Sequence, residues 1–151
     1  MAIDGFNCII TVEAALSGGV VLVGRDTAVR DLASVHGSYR QVEVTRLAIE
    51  RIVAVLREAA VDAVTWYLDR PVSNSGRLAA LLRSLGPPES ASWSVELPFD
   101  PDRTLRETTA VVATSDSGVL DACGQWVDLP RAVIDRSIPD AWMVDLRGGA
   151  A

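Results

Sequence analysis

Aspartate recurs in this sequence where a short apolar segment gives way to a polar turn. Asp4 follows Met1-Ala2-Ile3 and opens Asp4-Gly5-Phe6-Asn7. Asp69 follows the run 63–68 and opens Asp69-Arg70-Pro71-Val72-Ser73-Asn74-Ser75-Gly76. Asp116 stands in Thr114-Ser115-Asp116-Ser117-Gly118, just after 110–113, with Asp121 about one helical turn on. Carboxylates brought together repel one another and must be protonated or neutralised. A hard cation such as Mg²⁺ suits such a group, because it takes oxygen ligands and keeps several waters. It can then orient a phosphate and help generate an attacking hydroxide. On this reading Asp4, Asp69 and Asp116 are the catalytic and metal-holding set. Asp121 is a further candidate ligand, while Asn7, Ser115 and Ser117 supply neutral oxygens on the substrate side.

A second feature is the loop Ser73-Asn74-Ser75-Gly76 ahead of an expected helix, with Arg70 and Arg77 beside it. Free N–H groups at a helix start attract anions, and Arg holds phosphate oxygens in pairs, so Ser73, Asn74, Ser75 and Arg77 are candidate substrate contacts. Plainer roles stand beside these. An aspartate or serine before a helix is often its N-cap. That role suits Asp26, Ser115 or Asp116, and Ser73 or Ser75, and the two arginines fit simple solvated charges equally well. Asp69 suits a cap less, since it lies several residues ahead of its helix. His36 is the only histidine and no Gly-x-Ser-x-Gly elbow accompanies it, so a structural role in Ser34–Arg40 is favoured. Whether His36, Tyr39 and Arg40 reach the site is not legible at this level. Neither a phosphate-binding Gly-x-x-x-x-Gly-Lys nor a Gly-x-Gly-x-x-Gly fingerprint is present.

The elements that would position these groups alternate. Runs at 20–23, 63–68 and 110–113 read as buried strands, 92–97 as a half-exposed strand, and 126–129 as a short one. Helical spacing covers 42–59, with Val44, Leu47, Ala48, Val55, Leu56 and Ala59 near one face, and continues through Leu78, Leu81, Leu82 and Leu85 until Gly86-Pro87-Pro88. A weaker helix runs over about 8–16. Strands alternating with helices imply a three-layer α/β/α domain on a mostly parallel sheet, here assigned to residues 1–146 with a disordered tail at 147–151. Gly86–Ser92 and Phe99–Arg106 read as surface loops. In such sheets ligands bind beyond the carboxyl ends of the strands, where the aspartates fall.

Composition sets limits. The chain has 151 residues, enough for one domain with a sizeable core. No apolar run approaches the roughly eighteen residues of a membrane span, and the start lacks the basic and apolar regions of a secretory leader. Cys8 and Cys123 lack zinc-site spacing and read as reduced thiols, which places the protein in the cytoplasm. All fourteen basic residues are arginine and the net charge is −6, which argues against bulk, non-specific nucleic-acid binding but leaves room for a nuclease with an acidic pocket.

The opening Ile-Asp-Gly-Phe-Asn, the mid-chain strand ending in aspartate, and the late Val-Val-Ala-Thr-Ser-Asp with Asp121 resemble the PIN-like nucleases, a Rossmann-like group, and their NYN branch of YacP-type proteins in particular. The chain is also similar, over nearly its whole length, to a bacterial and archaeal family carrying Asp-Gly-Phe-Asn, Leu-Asp-x-Pro-Val-Ser-x-Ser-Gly and Ala-Thr-Ser-Asp-Ser blocks, a similarity that transfers no activity. The PIN-like resemblance implies a ribonuclease using Mg²⁺ or Mn²⁺, with Asp4 at the first acidic position, Asn7 as its accompanying asparagine, Asp116 in the Thr-Ser-Asp block and Asp121 as a later acid. Asp69 departs from the pattern, since the middle acid often comes from a helix. The short first strand departs too, and implies more chain at this point in relatives, with this protein shortened or reliant on a partner.

Three functions follow as expectations. The first is a metal-dependent phosphodiesterase acting on RNA. The second is a phosphohydrolase or transferase for a small phosphorylated metabolite or nucleotide. The third is a non-catalytic PIN-like module for partner binding or homodimer formation.

Overall fold

The first strand sits in the middle of its sheet. A computed structural model describes residues 1–32, 43–86 and 92–148; His36, Tyr39 and Arg40, most of the expected loop Gly86–Ser92, and residues 149–151 lie outside them. In chain order the elements are β1 (Ala2–Asp4), α1 (Gly5–Leu16), β2 (Val21–Val23), β3 (Val29–Asp31), α2 (Glu43–Glu58), β4 (Ala63–Tyr67) and α3 (Ser75–Leu85). There follow β5 (Ser92–Glu96), α4 (Pro101–Glu107), β6 (Val112–Ala113), α5 (Ser117–Leu120), β7 (Trp126–Val127), α6 (Leu129–Ser137) and β8 (Met143–Asp145). Five strands form one parallel sheet in the order β5-β4-β1-β6-β7.

Side chains alternate across this sheet with the period of two that a strand imposes. Ile3, Val64, Trp66 and Ala113 face a large core shared with α1, α2, α3 and α6. Ala2 and Val112 face the opposite side, where Leu105 of α4 and Val119 of α5 cover them. The result is the expected three-layer α/β/α arrangement. Helix α1 buries Phe6, Cys8, Ile9, Ile10, Thr11, Val12 and Ala15. A helix enclosed on nearly all sides carries little periodic signal, which is why its sequence pattern is weak. It ends in a Schellman motif: Gly18 at φ +71°, with Gly18 N–H donating to the Ala15 carbonyl and Gly19 N–H to that of Ala14.

Several expectations are corrected. The 20–23 run is strand β2, but it belongs to a separate small sheet, β3-β2-β8, packed through Val21, Val23 and Val29 against Ala15 of α1 and Ile134 of α6. Phe99–Arg106 is not a loop, because Asp100 caps a helix through Arg103 N–H with Pro101 in its first turn. The 126–129 strand stops at Val127, and Asp128 with Pro130 opens α6 by the same device. In α2 the buried stripe is Thr45, Ala48, Ile49, Ile52, Val53 and Leu56, rotated from the expected face, so that Leu47 is exposed. Arg46 and Glu50, four residues apart, pair on its outer face.

Gly5 admits no side chain. A Cβ there would lie 2.5 Å from Leu68 Cδ2 and 3.1 Å from the Tyr67 carbonyl oxygen. Leu68 is fully buried and has little room to yield. Gly5→Ala is expected to destabilise the fold by about 1–3 kcal/mol, the usual cost of overpacking, read as a lowered midpoint in chemical denaturation. An unchanged midpoint would show that the β1–α1 turn does not need the close approach.

Candidate functional site

The parallel order places β1 and β6 side by side while the chain leaves them in opposite directions, towards β4 from one and towards β7 from the other. That is a topological switch point, where the crevice beyond the strand ends is the usual ligand position. The turns leaving the two strands are joined across it. Thr114 Oγ1 donates to Asp4 Oδ2 at 2.8 Å and accepts from Asp116 N–H at 3.1 Å. Asn7 Oδ1 accepts both from Ser115 N–H at 2.9 Å and from Ser115 Oγ at 2.7 Å. Thr114 and Ser115 are buried, so these are enclosed contacts. Asp4 also caps α1, and Asp116 caps α5 by accepting from Val119 N–H at 2.9 Å.

Beyond this junction lies a cavity of about 390 Å³ lined by five aspartates, Asp4, Asp31, Asp69, Asp102 and Asp116, with Asn7 as a further polar group. Phe6, Ile10, Val72 and Pro101 form its apolar wall. The three sequence-selected catalytic acids therefore share one space. Asp31 and Asp102 escaped the sequence reading. Asp31 ends β3, too short to announce itself, and its Oδ2 accepts from Thr11 Oγ1 at 2.9 Å. Asp102 lies in the first turn of α4, and the Asp100-Pro101 capping pair was the signal that could have found it.

Other selected residues stay outside. Asp121 is the exposed C-cap of α5 and does not line the cavity; nor does exposed Ser117. Of residues 72–75 only Val72 is among the residues lining the cavity. Ser75 is buried, its Oγ donating to the Arg70 carbonyl at 3.3 Å, and Asn74 caps α3 in a left-handed conformation without a side-chain bond to the helix. Arg77 on α3 and Ser73 and Asn74 before it are exposed and are not among the lining residues. Asp26 has the loop role expected, accepting from Ala28 N–H and pairing with Arg30. Arg30 in turn donates through Nε to the Ser115 carbonyl at 2.8 Å, so the small sheet braces the β6 turn. Cys8 and Cys123 are both free.

The electrostatics follow from crowding. Burial raises Asp4 from the usual 3.8 to about 7, offset in part by the bonds from Thr114 and Asn7, and the charges of Asp102 and Asp116 add to the rise. Burial likewise raises Asp69, helped by Asp100, and raises Asp102, helped by Asp116. Among the described residues Asp69 Oδ1 is buried without a hydrogen-bond partner, an unusual state for a carboxylate. These donors are of the kind a hard divalent cation takes. Among the described residues no three His, Cys, Asp or Glu groups form a ready metal cluster. A Mg²⁺ that retains waters and uses one or two carboxylates together with substrate phosphate needs no such cage, so the donor set fits that mode and not a closed structural site.

The raised Asp4 also sets a pH dependence. Its folded value lies above its unfolded one, so its contribution is fully present below pH 4 and is lost as pH rises through 7. Asp4→Asn removes the ionisation and is expected to raise the thermal midpoint at pH 8 but not at pH 4. Equal shifts at both pH values would show that Asp4 ionises in the folded protein as it does in the unfolded chain, with no raised pKa.

Residues 1–132, which include every residue lining the cavity, match the family model described as Domain of unknown function (DUF5616). The "Uncharacterized protein MJ0935" of Methanocaldococcus jannaschii is 36% identical over 118 residues, which is 78% of this chain and 56% of that protein. The chain thus spans little more than half the length of this curated relative. No solved structure matches it. Among the described residues no helix is long and apolar enough to cross a membrane.

Proposed function

This chain belongs to the DUF5616 family, and we propose that it is a divalent-cation-dependent phosphodiesterase acting on RNA. The observation that carries this reading is the five-aspartate cavity at the switch point, with Asp69 Oδ1 buried and, among the described residues, unpartnered. So many carboxylates in one partly desolvated space call for a counter-cation. One or two of Asp4, Asp69, Asp102 and Asp116 would bind Mg²⁺ or Mn²⁺, with waters and substrate phosphate completing its shell. When bound, such an ion supplies charge neutralisation, polarisation of a phosphoryl oxygen and a more acidic water.

The chain's own residues do the rest. Thr114 and Asn7 hold the Asp4 turn against the β6 turn, so that the acids keep their places as the substrate enters. Phe6, Ile10, Val72 and Pro101 exclude water from one wall, which strengthens every electrostatic contact inside. Asp4, raised to about 7 before any cation binds, would release its proton near neutral pH as the cation binds. The two free cysteines support a cytoplasmic setting.

A second reading has its own support. A cavity of about 390 Å³ suits a small phosphorylated metabolite or nucleotide, since such ligand pockets begin at roughly 300 Å³.

Asn caps a helix as well as Asp does, so Asp116→Asn removes charge while leaving α5 intact. With Mn²⁺ and a panel of single-stranded RNAs, this variant is expected to lose at least about a hundredfold in kcat, and Asp121→Asn to cleave as the native protein does. Unchanged cleavage by Asp116→Asn would defeat the assignment. Turnover of free nucleotides or sugar phosphates without RNA cleavage would transfer it to the second reading.

A further inference from the structure

Beyond the strand ends, β4 and β5 continue side by side. Leu68 N–H donates to the Glu96 carbonyl and Arg70 N–H to that of Pro98, both at 3.0 Å. Asp69 and Arg70, consecutive in sequence, serve opposite sides of this ridge. Asp69 lines the acidic cavity, while Arg70 lines a separate hollow of about 400 Å³ with Tyr67, Arg83, Leu97 and Pro98. Glu96 is the single carboxylate among its lining residues. Arg83 reaches the hollow from α3 and is held there by an Nη2–H bond to the Val95 carbonyl at 2.8 Å.

Two further features give this hollow a chemical character. Among the described residues neither Arg70 nor Arg83 takes part in an ion pair, whereas Arg30, Arg46, Arg103, Arg106, Arg131, Arg136 and Arg147 all do. Among the described residues Arg25, Arg51, Arg57 and Arg77 are outside ion pairs too; what sets Arg70 and Arg83 apart is that, in a chain of net charge −6, both line one hollow with Glu96 as its one carboxylate. Phe99, next to Pro98, is 73% exposed, more than any other large apolar residue described. The Arg70 guanidinium lies over its ring, 4.8 Å from the centroid. Core packing does not account for so exposed a ring, and the cation above it makes the pair a flat, stiff surface beside a positive pocket.

We infer that the Arg70–Arg83 hollow, with Phe99 at its lip, seats a nucleotide of a single-stranded nucleic acid next to the phosphodiester presented to the aspartates. A nucleotide carries a π face and an anion together. Its base stacks on the aromatic ring in a sequence-tolerant way, and its phosphate takes the guanidinium N–H groups. An anionic peptide or a bare phosphate meets only half of this surface. The inference rests on the phosphodiesterase reading, because it gives that substrate a direction across the β4–β5 ridge. It also reconciles an acidic protein with a nucleic-acid substrate: the grip is confined to one hollow, which makes it modest and salt-sensitive.

The test is fluorescence anisotropy of end-labelled RNA and DNA octamers of one sequence, titrated with the full chain in EDTA so that binding is read without turnover. Phe99→Ala is expected to weaken binding by about tenfold or more, the worth of one stacked base, with binding restored by Phe99→Trp. Arg70→Gln is expected to weaken it and to reduce the slope of log affinity against log salt by about 0.7, one phosphate contact on a single strand. Both positions are exposed, so circular dichroism will confirm that the variants fold. Binding by Phe99→Ala and Arg70→Gln equal to the native chain would overturn the inference at any cleavage rate. A native chain that binds, loses binding in both variants and never cleaves RNA with Mn²⁺ would uphold the subsite and defeat the catalytic reading alone.

Discussion

The carboxyl group of Asp4 has to be kept at the end of the central strand, near the charges of Asp102 and Asp116, with much of the solvent that ordinarily carries such a charge removed. Burying it costs free energy that the hydrogen bonds from Thr114 and Asn7 offset only in part, which is why its pKa remains raised. Much of the surrounding architecture serves to hold this arrangement. Gly5 lets α1 start against the end of β4. Asn7 takes both donors of Ser115, and Arg30 holds the Ser115 carbonyl from outside. Remove the fixed turns and the carboxylates would separate into water.

The small sheet is best understood in the same terms. It adds little to the main core, yet it places Asp31 on the cavity wall and Arg30 against the β6 turn. It is tied to α6 by Asp128, whose Oδ2 accepts from Val29 N–H at 2.8 Å while Oδ1 caps the helix. Asp128 is raised by burial, though the bonds from Arg131 and Val29 work against the rise. This is a carboxylate spent on joining two layers, a useful contrast to Asp69, which has a buried oxygen with no hydrogen-bond partner among the described residues.

Acids that close a strand were legible in the sequence, because the strand-to-turn boundary is written in residue types: Asp4, Asp69 and Asp116 were found that way. Acids carried by elements with little hydrophobic signal were not. Helix α4 buries Leu105 alone, so no periodicity betrayed it or Asp102. Strand β3 is three residues long, so Asp31 had no strand to end. The 20–23 run showed that a buried strand exists but not which sheet it joins, since a short apolar run says nothing about its partner. Asn74 and Ser75 were legible as a helix start, but the bond from Ser75 Oγ to the Arg70 carbonyl, which ties up that hydroxyl, depends on the folded path of the loop, which spacing does not encode.

Two sides of one ridge thus carry opposite charge: aspartates in the cavity, arginines in the hollow behind it. The central claim is that the aspartates exist to hold a divalent cation. The most direct measurement is anomalous diffraction from a crystal soaked in Mn²⁺ at pH 8, above the point at which Asp4 gives up its proton. The expected result is an anomalous peak within the cavity, bonded to oxygens of one or two of Asp4, Asp69, Asp102 and Asp116. A map with no peak there, or with manganese only at surface acids such as Asp121, would contradict it.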